Sequence, residues 1–137
     1  MSELSKKEAV KKELPMMENL VEQALACDED KPDSELVSIV AKIEEIRKLL
    51  ARYDDRSELD DYGTKSILFL SKQIRTQAHG VVEHMAVRYK AKIERPREPS
   101  ILSDEEVFRL HGSEVFRLLT LLERSATQIV SRLYWVG

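Results

Sequence analysis

Between Asp33 and Tyr53 the apolar residues keep a regular rhythm: Leu36, Ile39, Ile43, Ile46, Leu50 and Tyr53 are separated by three, four, three, four and three positions. At about 100° per residue this spacing gathers all six side chains on one face of an α-helix, whereas a strand would scatter them over both faces. The rhythm suits shallow-angle packing against a neighbouring helix. Val40 and Leu49 widen the stripe. The run is shorter than the three to four heptads of an independent coiled coil, so it predicts one helix of a bundle, over residues 33–54 with Asp33 or Ser34 as cap.

Three further segments carry the same periodicity. The first, over about 3–27, has Ser2 or Ser5 as its cap and apolar residues from Leu4 to Leu25. Pro15 falls inside it, and since proline removes a donor and clashes with the preceding turn, the expectation is a short leading helix that ends before Pro15 opens the main one. The third, over about 60–94 and starting near Ser57 or Thr64, presents Ile67, Leu70, Ile74, Ala78, Val81, Met85 and Tyr89. It is the longest. Pro96 and Pro99 close it, because each disfavours helical geometry in the residue before it.

The fourth, over about 103–136, opens on a capping box, Ser103-Asp104-Glu105-Glu106. Glu-Val-Phe-Arg-Leu occurs in it twice, at 106–110 and 114–118, around His111-Gly112-Ser113. A break at 111–113, with Gly112 ending one helix and Ser113 capping the next, makes residues 103–111 a short fifth helix; a continuous helix makes the repeat a coincidence of amphipathic sequence. Few glycines and prolines, four of each, leave little room for a sheet. Short connections between long helices predict an all-α fold, an antiparallel up-and-down four-helix bundle in a single domain spanning residues 1–137.

Composition fits a water-soluble globule: 34% of residues are charged and 42% hydrophobic. The longest apolar runs resemble Ile67-Leu68-Phe69-Leu70, far below the roughly 18 residues of a membrane span. Residues 1–13 interleave lysines and glutamates and lack the apolar region of a secretory signal, so cytoplasmic residence is expected. Cys27 is alone, which excludes an internal disulfide and a structural zinc site.

Charge is uneven within a net of −3. Residues 28–35 carry five acids against one lysine and residues 54–61 five acids against one arginine, while residues 62–98 carry eight bases against three acids. An up-and-down bundle puts the two acidic turns at opposite ends. The bases Arg88, Lys90, Lys92, Arg95 and Arg97 gather where the third helix ends, a position its macrodipole favours, and Lys72 and Arg75 extend them along the same helix. Together these seven form a candidate nucleic-acid-binding patch, with Tyr89 as the single interleaved aromatic.

His79, His84 and His111 are the candidate general bases. Arg75 and His79 resemble the Arg-His pair of bundle ribonucleases, with three intervening residues where that motif has four to six. Phosphotransfer bundles place a lysine and glycine after their histidine, and neither His79-Gly80-Val81 nor His111-Gly112-Ser113 supplies that lysine. Helical di-metal sites use Glu-x-x-His, but Thr76, Val81 and Phe108 stand three before the histidines. No phosphate loop or nucleophile elbow occurs either, so neither cofactor nor metal is expected.

The sequence therefore predicts a noncatalytic interaction protein, such as a small subunit, adaptor, chaperone or inhibitor, that meets a protein partner or forms a homodimer. Leu36, Ile43 and Leu50 on the broad second-helix stripe, and Trp135 at the chain end, are its candidate contacts. A nucleic-acid-binding subunit is the alternative, and an Arg-His nuclease a third reading.

Overall fold

The computed structural model describes residues 5–28, 31–93 and 113–134, with the side chains of 88–93 excepted. Four helices account for most of them: α1 (Lys6–Ala26), α2 (Asp33–Ala51), α3 (Asp61–Ile93) and α4 (Glu114–Tyr134). At 1.5 Å per residue, α3 with its 33 residues runs about 50 Å, against about 30 Å for each of the others.

Each helix packs on two neighbours, α1 on α2 and α4, and α3 on α2 and α4, which closes a four-cornered bundle. Its polar cross-ties fix the directions. Glu18 of α1 pairs with Arg47 of α2, while Lys7, earlier in α1, reaches the Arg56 carbonyl beyond the end of α2. Between α3 and α4, His79 meets Glu123 and the earlier Lys72 lies over the ring of the later Tyr134. In both pairs the numbers rise on one helix as they fall on the other, so neighbours run antiparallel. The two acidic turns accordingly lie at opposite ends.

The core is the predicted set of stripes meeting on one axis. Leu36, Ile39, Ile43 and Ile46 of α2 are at most 1% exposed, as are Met17 and Val10 of α1, Ile67 and Ile74 of α3, and Leu118, Leu119 and Leu122 of α4. Burying such a side chain contributes on the order of 1.5–3 kcal/mol, so this set dominates the stability of the fold.

Two local expectations are corrected. The α1 helix passes unbroken through Pro15. The proline ring is exposed, on the side away from the core, and the turns before it are held by the buried Val10 and Leu14. These contacts, with the cap at its start, offset the roughly 3 kcal/mol that an interior proline costs. The caps also differ. Ser5 does cap α1, accepting from the Glu8 amide at 3.1 Å, but α2 starts at Asp33 behind Pro32 without a side-chain cap. The α3 helix starts at Asp61, between the expected Ser57 and Thr64, and Asp60 caps it: the Gly63 amide donates to Asp60 Oδ1 at 2.8 Å. Ser113 accepts from the Phe116 amide at 3.2 Å and so opens α4 on the second Glu-Val-Phe-Arg-Leu copy. The first copy, the capping box at Ser103 and the short helix over 103–111 lie outside the described residues.

One end of the bundle is tied by a polar knot. The Tyr53 hydroxyl donates to the same Asp60 oxygen at 2.6 Å, which raises the phenol's pKa and lowers that of the carboxyl. Glu58 accepts from the amides of Lys7 and Lys6, at 2.8 and 3.2 Å, and so sits as an anion on the N-terminus of α1. Burial works against its charge, but the amides of Leu59, Lys7 and Lys6 outweigh it and hold the carboxyl below its ordinary value. A Cβ on Gly63 would come within 2.7 Å of the buried Tyr53 ring and hydroxyl. Gly63→Ala should therefore lower the unfolding free energy by about 1–2 kcal/mol net of alanine's better helix propensity. A urea titration checks this, and an unchanged or raised midpoint would contradict it.

Candidate interaction surface

The second-helix stripe offers nothing to a partner. Leu36, Ile43 and Leu50 are 0%, 1% and 7% exposed, in the core among α1, α3 and α4 side chains. The expectation that they form a contact surface is thus corrected, because one bundle hides the whole stripe, with Val40 half-buried at its margin. Alanine at Leu36 or Ile43 should cost about 2–5 kcal/mol in a cooperative unfolding titration. A cost below about 1 kcal/mol would mean the stripe is not core.

Of the basic patch, Lys72 and Arg75 are half-buried on α3, and Lys72 sits 4.9 Å from the Tyr134 ring centroid. The side chains of Arg88, Lys90 and Lys92, together with Arg95, Arg97 and Trp135, lie outside the described residues. The structure therefore brings together only the first two members of that patch.

His79 stands on the α3–α4 edge with both ring nitrogens engaged. Its Nδ1 is 2.8 Å from Glu123 of α4 and its Nε2 is 3.0 Å from Glu83 one turn on. Glu123, then the hydrogen bonds to both carboxylates, raises its pKa above 6.5 against the opposing effect of desolvation. Both ring nitrogens thus face carboxylates, one on the next helix and one along its own, which makes the ring a clasp between α3 and α4. Because the folded pKa is raised, the clasp stabilises most below about pH 6.5 and its contribution is lost as pH rises through the folded value. Stability measured against His79→Gln should show that fall toward alkaline pH, whereas a flat difference would contradict the clasp. No group of three or more His, Cys, Asp and Glu side chains among the described residues could hold a metal ion. No helix among them is long and apolar enough to cross a membrane.

Another surface was not singled out by sequence. Tyr62, Phe69 and Val87 of α3 are 61%, 62% and 67% exposed, although each is a large apolar side chain. They lie seven and eighteen residues apart, which at 3.6 per turn keeps them on one line, facing away from the core stripe of Ile67, Ile74, Ala78 and Met85. Gln73, Thr76, Gly80 and Glu83 complete the line, all exposed. Beside Phe69, an open groove of about 420 Å³ runs past Lys42, Lys72, Gln73, Thr76 and Gln77. The Lys42 ammonium is anchored on the Gln77 carbonyl and the Ser38 hydroxyl, both at 2.8 Å.

Gly80 has no role inside the bundle. Nothing lies within 4 Å of the position a Cβ would take. Mid-helix glycine costs roughly 1 kcal/mol relative to alanine, and the fold recovers none of it by close packing. The signal was present in the sequence as a second, weaker apolar period on α3, masked by the stronger core period of the same helix.

No protein-family model, curated protein or solved structure matches this chain, and its functional reading rests on this geometry.

Proposed function

We propose that this chain is a noncatalytic helical interaction protein that works by protein–protein contact through the outward face of α3. The observation that carries this reading is the line Tyr62, Phe69 and Val87, three large apolar side chains left in solvent on one helix face. Isolated exposed apolar residues are ordinary, and α1, α2 and α4 each carry one, Met16, Val37 and Tyr134. Here three share the outward face of one helix, spread over about 37 Å with exposed Gln73, Thr76, Gly80 and Glu83 between them, and we read that face as the one a partner covers.

Its chemistry is that of an interface. Phe69 is its aromatic anchor, with Lys65 and polar Gln73 one turn away on either side and Thr76 two turns on. Among the described residues His79 is committed to a clasp between α3 and α4, and the buried Ser125 donates to Glu13 at 2.7 Å as a tie between α4 and α1. Nucleic-acid binding through Lys72, Arg75, Arg88, Lys90, Lys92, Arg95 and Arg97 is the second reading; Tyr89 is the single aromatic interleaved with those bases, where single-strand binders present several.

Phe69→Ser removes the anchor without touching the core. Its unfolding free energy should stay within about 0.5 kcal/mol of the parent, while a protein partner captured by the parent chain from its source lysate is lost. A variant that captures the same partners as the parent would overturn the reading.

A further inference from the structure

We propose that the partner on the outward face of α3 is a second copy of this chain, packed α3 against α3 antiparallel about a two-fold axis that passes between Ile74 and Arg75. The inference rests on the reading of that face as an interface and goes on to name its occupant and register.

An isologous contact requires self-complementarity: whatever residue i meets, its equivalent must meet in return. The α3 face meets this condition with one axis. Antiparallel pairing about that midpoint sets Phe69 against Gly80 of the second copy, Tyr62 against Val87, and Gln73 against Thr76. The large exposed aromatic thus falls on the one position of the helix where space is open to the backbone, and this happens twice. The two remaining exposed apolar residues cover each other at both ends. Polar meets polar at the centre.

Charge follows the same symmetry. Lys65 lies within one residue of the position opposite Glu83 of the second copy, an axial offset of about 1.5 Å. Within its own chain Lys65 has only the fully exposed Asp61 at 3.7 Å, and Glu83 spends one oxygen on His79 and leaves the other open. Opposite charges therefore meet at each end of the contact. Parallel pairing fails on the same residues, because it sets Phe69 on Phe69, Gly80 on Gly80 and Glu83 on Glu83.

The pairing accounts for Gly80, which nothing inside the bundle does. With one helix face from each copy the interface falls at the small end of the size range, among weak and transient contacts.

Sedimentation velocity of the full chain from about 5 to about 500 µM tests this. The parent should pass reversibly from monomer to dimer. Gly80→Gln fills the space opposite Phe69, and should stay monomeric while melting no lower than the parent; Phe69→Ser should also stay monomeric. A parent that is monomeric throughout, or a dimer indifferent to both substitutions, overturns the proposal. For the register, Cys27→Ser chains carrying Tyr62→Cys or Val87→Cys are treated with a short thiol cross-linker. Cross-linking only in the mixture is expected, and cross-linking of either variant with itself overturns the antiparallel arrangement. A monomeric parent whose captured partner still depends on Phe69 overturns the second copy as occupant while leaving the interaction reading in place; capture that ignores Phe69 overturns that reading as well.

Discussion

Each helix of a four-cornered bundle can bring one stripe to the common axis, and the rest of this molecule follows from that constraint. Leu36, Ile39, Ile43 and Ile46 fill the α2 share of the axis almost without exposure. Once they are buried, each helix is left with an outward face that meets only water. On α1, α2 and α4 that face is polar with a single large apolar exception, as is ordinary for soluble proteins. On α3 it carries a second apolar line, and the bundle has no fifth element among the described residues to cover it. We place the proposed contact on α3 because the fold leaves that line unpaired.

The polar knot at one end makes this arrangement rigid. Asp60 holds the Tyr53 hydroxyl and the Gly63 amide together, which ties the end of α2 to the start of α3. Glu58, from the same loop, ends on the N-terminus of α1, while the Lys7 ammonium returns to the Arg56 carbonyl at 2.6 Å. Three helices are thus registered by one nine-residue loop. The Arg56 guanidinium, 5.5 Å from the Tyr53 ring centroid, covers it. With the rotation of α3 fixed by Ile67 and Ile74 on one side, the outward direction of Tyr62 and Phe69 follows.

The all-α bundle and its helix limits were legible because apolar periodicity is a strong signal in long helices, and the expected 33–54 and 60–94 differ little from Asp33–Ala51 and Asp61–Ile93. Pro15 misled because tertiary contacts on both sides of it override local preference, and no local rule sees Val10, Leu14 and Met17 reaching the core. The Asp60 cap was missed because several acids in that turn compete for the role and only the fold selects one. The exposed apolar line on α3 was hidden for a different reason. The α3 core stripe is legible, and Ile67, Ile74, Ala78, Val81 and Met85 are buried as expected, but Tyr62, Phe69 and Val87 are too widely spaced to stand out as a second stripe beside it. The most regular stripe, on α2, drew the functional expectation although its regularity is what the core required.

A dilution series followed by backbone amide NMR reads the outward face of α3 directly. The amide resonances of Tyr62, Phe69, Thr76, Gly80 and Val87 should shift together with protein concentration, while those of Leu36, Ile43 and Leu50 stay fixed. Shifts absent at every concentration, or concentrated on α1 or α2 instead, would contradict the assignment of this face as the place where the protein meets its own copy.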